Sequence, residues 1–443
     1  MTLPVVRSLI LKRFRSIPSQ RIEFDNPTFL VGRNGSGKSN LVDAFSFLSD
    51  SMAVPLQAVF DRRGGITAVR NRTSGKGGYP PNLGLGVVLG RANGGNVGGR
   101  YAFEVRALPN YGFEVVREQC LVEDSKGPRH WFEREKGAFR SNVKGLDPAL
   151  DPTALALPLV GGDARFAPVV STLSRLRVYS IEPPKLREMQ DPDGGTSLRK
   201  DGSNAASVLQ EIGRQDQSQL ARIGEILATI VPNTRAVRVR KHGNKLSLEF
   251  IQEWDDVARG AGKWGVGEKA ENGEANTLRF EAFNMSDGTL RALGLLAAVF
   301  QRPAPSLVVV EEPEATIHPG ALGSVLDLIR HAAKNMQVVV TTHSPDVLEA
   351  KWIRPEHLRI VEWAHGATRV GDLSESTREA LRDHVMGAGE LLRSNALRSE
   401  PLFDDVGNPP EADLFEVMEG WVEPEDGAED QSGEVVRKTS SGA

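Results

Sequence analysis

The stretch FLVGRNGSGKSNLVDAF, residues 29–45, joins an apolar run to a helical pattern through a loop rich in glycine. Gly32–Ser39 has the form G-x-x-x-x-G-K-S, and Leu41, Phe45 and Leu48 follow at helical spacing. A strand, a glycine loop and a helix in this order are the context in which such a loop binds the phosphates of a nucleotide. The sequence therefore predicts an α/β protein with a phosphate-binding loop at the end of a buried strand.

The residue types in this loop suit phosphate binding. Its glycines let backbone N–H groups approach the phosphates, where larger side chains would block them. Lys38 can reach the β and γ phosphates of ATP, and the Ser39 hydroxyl can ligate Mg²⁺. The predicted nucleotide contacts in and after the loop are Asn34, Gly35, Ser36, Gly37, Lys38, Ser39 and Asn40.

An apolar run far downstream ends in two acids, in the sequence LVVVEEPE at 307–314. An all-apolar run is typical of a buried parallel strand, and ligands of open α/β sheets bind at the carboxyl ends of such strands. We expect Glu311 to hold Mg²⁺, directly or through water. We expect Glu312 to orient and deprotonate the attacking water. Together with the loop, these acids predict a nucleoside triphosphatase.

Two other segments offer groups that could contact a phosphate. In NMSDGTLRALGLLAAVF, residues 284–300, Ser286 is a good helix cap, and Gly288 leaves the first-turn amides open to an anion. Such a spare anion site suggests a phosphate offered by another copy of the chain, although an ordinary capped helix has the same pattern. His343 follows the apolar run 337–342 and could hydrogen-bond the γ-phosphate, but a single histidine is more often structural.

The remaining pattern divides the chain into regions. We expect strands at 5–14 and 21–32, a hairpin from the alternating runs 100–108 and 111–122, and a helical period over 203–230. Strands and helices alternate over 277–349, which predicts a mostly parallel sheet flanked by helices. The polar stretch 255–276 is predicted to be a loop.

The predicted domain ranges follow from these regions. Residues 1–60 and 277–400 would form a discontinuous ATPase core, and residues 61–276 an antiparallel β lobe with a compact inserted α/β arm. The acidic stretch 420–443 has few apolar residues and is predicted to be disordered.

The segments GRNGSGKS, MSDGT, LVVVEEPEATIHP and VVVTTHSP, in this order, resemble the Walker A, signature, Walker B with D-loop, and H-loop motifs of ABC-type ATPases. Within that class the chain is similar to the RecF/SMC/OLD-like group of standalone prokaryotic AAA family ATPases, which also matches the late GELLR at 389–393. The resemblance implies a P-loop NTPase head of ABC type and a head-to-head homodimer, with two ATP molecules between the subunits. It implies that Lys38, Ser39 and Glu312 act from one subunit, that Ser286 and Gly288 cap the γ-phosphate from the other, and that Glu314 to Thr316 form the D-loop.

The chain departs from the family pattern in several places. The signature has Ser-Asp-Gly-Thr in place of Ser-Gly-Gly-Gln, and Glu311 stands where an aspartate is usual. Gln119 is a weak candidate for the Q-loop glutamine, for which an ordinary exposed glutamine is the alternative. The insert lacks sustained heptads, which excludes a long coiled coil. Asp404 and Asp405 lack the partners of a TOPRIM site, so we interpret them as surface acids and do not predict a nuclease.

Composition limits the setting and the partners. The formal net charge is −4 and Cys120 is the single cysteine, which fits a reducing cytoplasm. No signal peptide and no membrane span are predicted. Contact with DNA would depend on two local basic stretches. The alternative is that these stretches form solvated faces and pair with acids. The basic residues of the two stretches are Arg62, Arg63, Arg70, Arg72, Lys76, Arg235, Arg238, Arg240, Lys241 and Lys245.

The motifs favour an ATP-gated, DNA-associated switch. The family resemblance implies that such a switch works in antiphage defence or genome maintenance with a separately encoded effector, such as a nuclease or toxin. The alternative is a scaffold with slow or no hydrolysis, whose ATP-bound dimer holds a partner protein without contacting DNA. A transporter motor is disfavoured by the signature, by Glu311 and by the size of the insert.

Overall fold

The computed structural model describes residues 3–72, 80–92, 94–253, 277–382, 386–397, 399 and 412–416. Sixteen strands form three sheets within these residues. In chain order the strands are β1 Val5–Phe14, β2 Ile17–Glu23, β3 Thr28–Val31, β4 Asn82–Gly90, β5 Val97–Ala107, β6 Phe113–Asp124, β7 His130–Glu135, β8 Ala138–Ser141, β9 Leu176–Tyr179, β10 Thr234–His242, β11 Lys245–Glu253, β12 Thr277–Glu281, β13 Leu307–Glu311, β14 Gln337–Thr342, β15 Leu358–Ala364 and β16 Ala367–Gly371.

Thirteen α-helices accompany them in the same described residues. They are α1 Lys38–Ala53, α2 Leu56–Asp61, α3 Ile66–Val69, α4 Ala156–Val160, α5 Ala167–Leu173, α6 Pro183–Arg187, α7 Ala205–Gln215, α8 Gln217–Ile230, α9 Asp287–Phe300, α10 Pro319–Ala332, α11 Pro345–Leu348, α12 Glu375–Arg382 and α13 Ala388–Arg393. None of the described helices is both long and apolar enough to span a bilayer.

The six-stranded sheet is parallel except at one edge. Its order is β16-β15-β3-β14-β13-β9, and only β16 runs antiparallel to its neighbour. Successive residues of a strand point to opposite faces, so Val308 and Val310 enter one hydrophobic core while Leu307 and Val309 enter another. Apolar layers on both faces explain why this strand is a continuous apolar run.

The seven-stranded sheet is antiparallel, with the order β2-β1-β4-β5-β6-β7-β8. It contains the predicted hairpin, since β5 pairs with β6 from Val97 to Ala107. The prediction of one strand over 21–32 is wrong, because β2 ends at Glu23 in this sheet and β3 starts at Thr28 in the parallel one. Pro27 stands in the gap, and proline cannot donate a backbone hydrogen bond to a ladder.

A smaller unit carries the sheet β10-β11-β12 beside α7 and α8. The helical period over 203–230 is two helices, because Asp216 has an extended backbone and its side chain caps α8 by accepting from Ser218 N at 3.0 Å. Strand β12 pairs with β11 in this antiparallel sheet, not in the parallel sheet that the alternation over 277–349 predicted. The α/β class with a mostly parallel sheet, an antiparallel β lobe and a compact arm is confirmed.

Sheet membership crosses the domain ranges expected from sequence. β1 and β2 belong to the seven-stranded sheet, and β9, inside 61–276, pairs with β13 in the parallel sheet. β9 has only four residues, and no motif marks it. The predicted loop 255–276, the predicted tail 420–443, Lys76, Asp404 and Asp405 lie outside the described residues.

Candidate nucleotide-binding site

Three neighbouring parallel strands bring the predicted motifs to one edge of the sheet. β14 lies between β3 and β13, with Thr342 opposite Val31 and Thr341 opposite Glu311. Gly32 N donates to Thr342 O at 3.3 Å, so the glycine loop starts beside the end of β14. The loop, the acidic pair and His343 therefore all follow the carboxyl ends of neighbouring parallel strands, which is where open α/β sheets bind ligands.

The loop has a backbone that depends on its glycines. Gly35 and Gly37 have φ of 80° and 98°, which side chains rarely allow. A Cβ on Gly37 would lie 1.8 Å from Thr368 Oγ1, and one on Gly32 would lie 2.3 Å from Val361 O. Strands β15 and β16 thus leave no room for larger residues at these two positions.

Lys38 begins α1 and is buried under the loop. Its Nζ donates to Gly32 O at 2.6 Å and to Arg33 O at 3.1 Å. Burial lowers the pKa of Lys38, while the negative charges of Glu312 and Glu314 act to raise it. The ammonium group of Lys38 therefore interacts electrostatically with the acids that follow β13. This is the position expected of a lysine that binds a phosphate beside those acids.

The other loop residues differ in accessibility. Asn34, Gly35 and Ser39 are exposed, whereas Ser36 Oγ is buried without a hydrogen-bond partner. Asn40 Nδ2 donates to Ser16 Oγ at 2.6 Å. The side chain of Asn40, a predicted nucleotide contact, thus ties α1 to the turn between β1 and β2.

The two acids after β13 have different surroundings. Glu311 Oε1 forms an ion pair with Lys200 Nζ at 3.2 Å. Glu312 has φ of 45°, and its backbone N donates to Thr341 O at 3.0 Å. His343 Nδ1 lies 3.1 Å from Glu312 Oε1, within hydrogen-bond distance. The predicted general base and the predicted γ-phosphate contact are therefore neighbours.

Glu314, in the segment that resembles a D-loop, also belongs to this cluster. Thr342 Oγ1 donates to Glu314 Oε1 at 2.7 Å, and His343 Nδ1 lies 3.9 Å from the same oxygen. Glu314 Oε2 is buried without a hydrogen-bond partner. A buried carboxylate oxygen without a partner is costly, so this oxygen is a candidate acceptor for a bound water or ligand group.

The signature-like segment contacts the acidic segment within the same chain. Ser286 caps α9, accepting from Thr289 N at 3.2 Å. A Cβ on Gly288 would lie 2.8 Å from Thr316 O, so glycine allows α9 to approach the D-loop backbone. Arg291 donates to Glu312 O at 3.0 Å and to Ile181 O at 3.0 Å. Burial lowers the pKa of Arg291, whereas Glu314, Glu312 and Asp287 act to raise it.

Sequence reasoning missed two of these residues. Arg291 is in the first half of α9, where the Ser-Asp-Gly-Thr pattern drew attention to the cap alone. Lys200 lies in an irregular stretch before α7 that matches no motif considered above. A basic residue in an otherwise apolar helix was a usable signal for Arg291, but nothing local pointed from Lys200 to Glu311.

The donors present fit Mg²⁺. Ser39 and Glu311 offer a hydroxyl and a carboxylate, which are the oxygen ligands that this hard cation prefers. The attraction of Lys200 to Glu311 at 3.2 Å indicates that a cation is stabilised at this carboxylate. Among the described residues no group of three or more His, Cys, Asp or Glu could hold a metal alone. Such a sparse set suits Mg²⁺ that is held jointly by protein and phosphates.

Gln119 is not at this site, and the alternative of an exposed glutamine is also wrong. The residue is 2% exposed in β6, where Nε2 donates to Glu416 O at 2.8 Å and Oε1 accepts from Glu416 N at 2.9 Å. An alternating strand gives no signal for a contact with a residue almost three hundred positions away.

The basic stretches are largely paired. Arg63 contacts Asp43 and Asp50, both at 2.9 Å. In β10 and at the start of β11, ion pairs form between Arg235 and Glu253, Arg240 and Glu249, and Lys245 and Asp191. Arg238 and Lys241 are exposed, and among the described residues they have no ion pair.

Comparison with known proteins places this geometry in context. The sequence pattern of the family described as "AAA domain, putative AbiEii toxin, Type IV TA system" matches residues 28–85 and 171–349, more than half of the chain. The structure resembles an Smc head solved bound to the C-winged helix domain of ScpA, with a TM-score of 0.51, 16% identity, and coverage of 85% of this chain and 99% of that one. A Pyrococcus furiosus Smc head, solved bound to the C-terminal domain of ScpA, has a TM-score of 0.49 and 14% identity over 86% of this chain and 100% of that one.

A shorter similarity links the chain to a repair protein. A DNA replication and repair protein RecF of Francisella tularensis subsp. novicida is 43% identical over 47 residues, which is 10% of this chain. The aligned part covers 14% of the length of that relative.

Proposed function

We propose that this chain binds and hydrolyses ATP between two copies of itself. The proposal proceeds from its family, because the chain belongs to the AAA domain family described above and is an ABC-type ATPase of the RecF/SMC group. The single observation that carries the proposal is the meeting of Lys38, Glu311, Glu312 and His343 at the ends of three adjacent strands. A phosphate-binding lysine, a metal-ligand carboxylate and a candidate base are the parts that phosphoryl transfer to water needs.

In this proposal each residue has a defined task. The loop amides and Lys38 bind the β and γ phosphates, and Lys38 exchanges its bonds to Gly32 O and Arg33 O for phosphate oxygens. Ser39 and Glu311 would hold Mg²⁺, which when bound neutralises charge on the phosphates. Lys200 would then leave Glu311.

Glu312 and His343 act on the water side. Glu312 accepts the proton of the water that attacks the γ-phosphorus, while the bond from that phosphorus to the β–γ bridging oxygen breaks and ADP leaves. His343, 3.1 Å from Glu312, holds the carboxylate in place and can donate to the γ-phosphate. Ser286 and Gly288 of the second copy would cap that phosphate.

Two substitutions test the proposal. Lys38→Ala should abolish ATP binding and ATP-dependent dimerisation together, measured by calorimetry and light scattering. Glu312→Gln should keep binding and reduce phosphate release by about 10²- to 10⁴-fold, the usual range for a general base. Glu225→Gln removes an exposed carboxylate and is the matched control. Full ATP affinity in Lys38→Ala would contradict the loop assignment.

The same Glu312→Gln variant separates a switch from a scaffold. If the biological function survives when hydrolysis is abolished, ATP-bound dimerisation alone is the task. The family description names a toxin and a type IV TA system, which favours a defence role shared with a second protein over an isolated enzyme. Co-purification of the protein encoded beside this chain, with Glu312→Gln and ATP, tests for a separate effector; the absence of any partner would contradict this shared role.

DNA contact is proposed along β10, which lies at the edge of the sheet β10-β11-β12. Arg238 and Lys241 are the exposed cations there without an ion pair among the described residues, whereas Arg235 and Arg240 already have acidic partners. We expect weak, sequence-tolerant binding that depends on salt. Arg238→Gln/Lys241→Gln should weaken DNA binding several-fold in anisotropy titrations, while Arg235→Gln should have a smaller effect. Equal affinity in all three proteins would refute this surface.

A further inference from the structure

Residues 412–416, Ala-Asp-Leu-Phe-Glu, lie on the face of the seven-stranded sheet that points away from the main cores. Leu9 and Leu11 of β1 enter a main core, whereas Ile10, between them, forms a separate small cluster with Ala102 and Leu414. Leu414 is 3% exposed. A short segment far along the chain therefore buries a leucine in a site of its own.

The leucine site depends on glycines in β4. A Cβ on Gly84 would lie 2.3 Å from Leu414 Cδ1, and one on Gly86 would lie 3.4 Å from Leu414 Cδ2. Glycine inside a strand weakens it and often marks a close approach by another group. The approach of Leu414 therefore accounts for glycine at two positions inside β4, a strand of nine residues.

Arg100 supplies the main polar contact. Its side chain is 7% exposed, and its Nε donates to Leu414 O at 3.1 Å. Its Nη1 donates to Glu416 Oε1 at 2.9 Å, and its Nη2 donates to Asp413 O. Every side-chain hydrogen bond of Arg100 in the described residues goes to this segment. A buried guanidinium needs such partners, so the site is built around the segment.

Three further residues complete the contacts. Gln119 pairs with both backbone groups of Glu416, as a neighbouring strand would. Arg117 lies over the Phe415 ring, 4.5 Å from its centroid. Ser19 Oγ accepts from Ala412 N at 2.8 Å. The segment also lines a cleft of about 790 Å³ on the same face.

We propose that this face is a receptor for a peptide of the order Leu-aromatic-Glu, occupied within the chain by residues 412–416, and that a protein segment of the same chemistry binds by displacing them. Arg100 and Gln119 read main-chain atoms that any peptide supplies. The leucine site, the cation over the aromatic ring and the Arg100–Glu416 pair select the side chains. Arg100, Gln119 and residues 412–416 lie outside the ranges matched by the family pattern, and the proposal does not depend on ATP.

The test uses the full chain and a labelled synthetic peptide of residues 410–418. The receptor chain is Leu402→Asp/Leu414→Asp, because residues 402–404 repeat the order Leu-Phe-acid in the sequence. A tethered occupant competes at an effective concentration on the order of millimolar. In anisotropy titrations we therefore expect the peptide to bind this variant at least about tenfold more tightly than it binds the wild-type chain.

Peptide variants check the recognised positions. Leu414→Asp in the peptide should lower affinity at least about tenfold, whereas Asp413→Ala should bind like the parent because that side chain is exposed. On the receptor, Gly84→Ala should weaken the peptide to a similar degree. Gly323→Ala adds a Cβ into open space and should change nothing.

Three results would overturn the proposal. The first is the absence of peptide binding to a double variant that circular dichroism shows to be folded. The second is equal binding to the variant and the wild-type chain. The third is loss of a nucleotide-free dimer in the variant by light scattering, which would assign the segment to a second copy.

If the double variant does not fold, a second measurement tests the proposal. Gly84→Ala in the otherwise unchanged chain should speed hydrogen exchange of the 412–416 amides at least about tenfold, while exchange in β13 stays the same. Unchanged protection at 412–416 would refute the leucine site.

Discussion

Lys38 holds a positive charge in a buried position. Its burial lowers the pKa, and the acids Glu312 and Glu314 restore part of it. Two loop carbonyls accept its hydrogen bonds at 2.6 and 3.1 Å. A bound triphosphate would add negative charge and favour the protonated amine. Nucleotide binding and protonation of this one residue are therefore expected to be linked.

This linkage predicts a pH dependence of ATP affinity. Because the pKa of Lys38 in the free protein is below its usual value of 10.5 and ATP raises it, affinity is full below the free-protein pKa and falls as pH rises through it. Calorimetry at pH values that rise from neutral towards 10.5, in buffers of different ionisation enthalpy, should show weakening affinity with proton uptake.

Lys38→Arg provides the control for this prediction. Its guanidinium stays charged throughout the range, so any ATP binding that it retains should lose the slope. The same slope in both proteins would mean that another group titrates on binding.

Helix α9 connects the signature-like cap to the acidic segment through Arg291. The guanidinium donates to the carbonyls of Glu312 and Ile181, and so joins α9, the end of β13 and the stretch after β9. Removing the donor from buried carbonyls typically costs about 1–3 kcal/mol, and these two bonds are partly buried. Arg291 is a positioning residue here, since it acts through the backbone of Glu312.

Arg291→Met keeps the apolar stem and removes the donors. We expect phosphate release to fall about ten- to a hundredfold, while ATP affinity stays within about threefold, because the phosphate loop is untouched. Arg222→Met, on the exposed face of α8, should change neither quantity. A parallel loss of ATP binding and turnover in Arg291→Met would indicate general unfolding and contradict the positioning role.

The elements that the sequence predicted well are those with a strong local signal. The helices after the glycine loop and after Ser286 have a clear period and start at a glycine or a cap, and the strand before Glu311 is a continuous apolar run; their starts or ends fall within a residue or two. The failures occur where distant residues decide. Gln119 pairs with Glu416, Lys200 with Glu311, and β9 is defined by its pairing with β13.

At the scale of the whole molecule, the parallel sheet separates two cores, and the candidate site lies at the carboxyl ends of its central strands. The residues of β3, β13 and β14 alternate between the two cores, so the site is fixed by packing on both faces. The class of fold was predictable because these strands are continuous apolar runs. The domain ranges were not, because β1 and β2 pair with each other and β1 pairs with β4, so both strands belong to the antiparallel sheet and not to the sheet that carries the phosphate loop.

The proposed dimer gives a prediction at this scale. In a Glu312→Gln chain with saturating ATP and Mg²⁺, light scattering should give twice the monomer mass. Adding Ser286→Arg places a bulky cation at the cap of α9 and should keep the mass at one copy, with ATP affinity within about twofold. Glu225→Arg places an arginine elsewhere on the surface, with an even larger change of charge, and should leave the dimer intact. A single mass for Glu312→Gln itself would refute the two-copy site.

Thr368, on the edge strand β16, contacts the phosphate loop and the turn between β1 and β2. Its hydroxyl donates to Ser36 O at 3.0 Å and lies 2.6 Å from Ser16 Oγ, directly against Gly37. The floor beneath the glycine motif is thus supplied by a hairpin more than three hundred positions later. A homologue that keeps the glycine motif but has a different hairpin here would therefore lack the contacts that support the curved backbone of the loop.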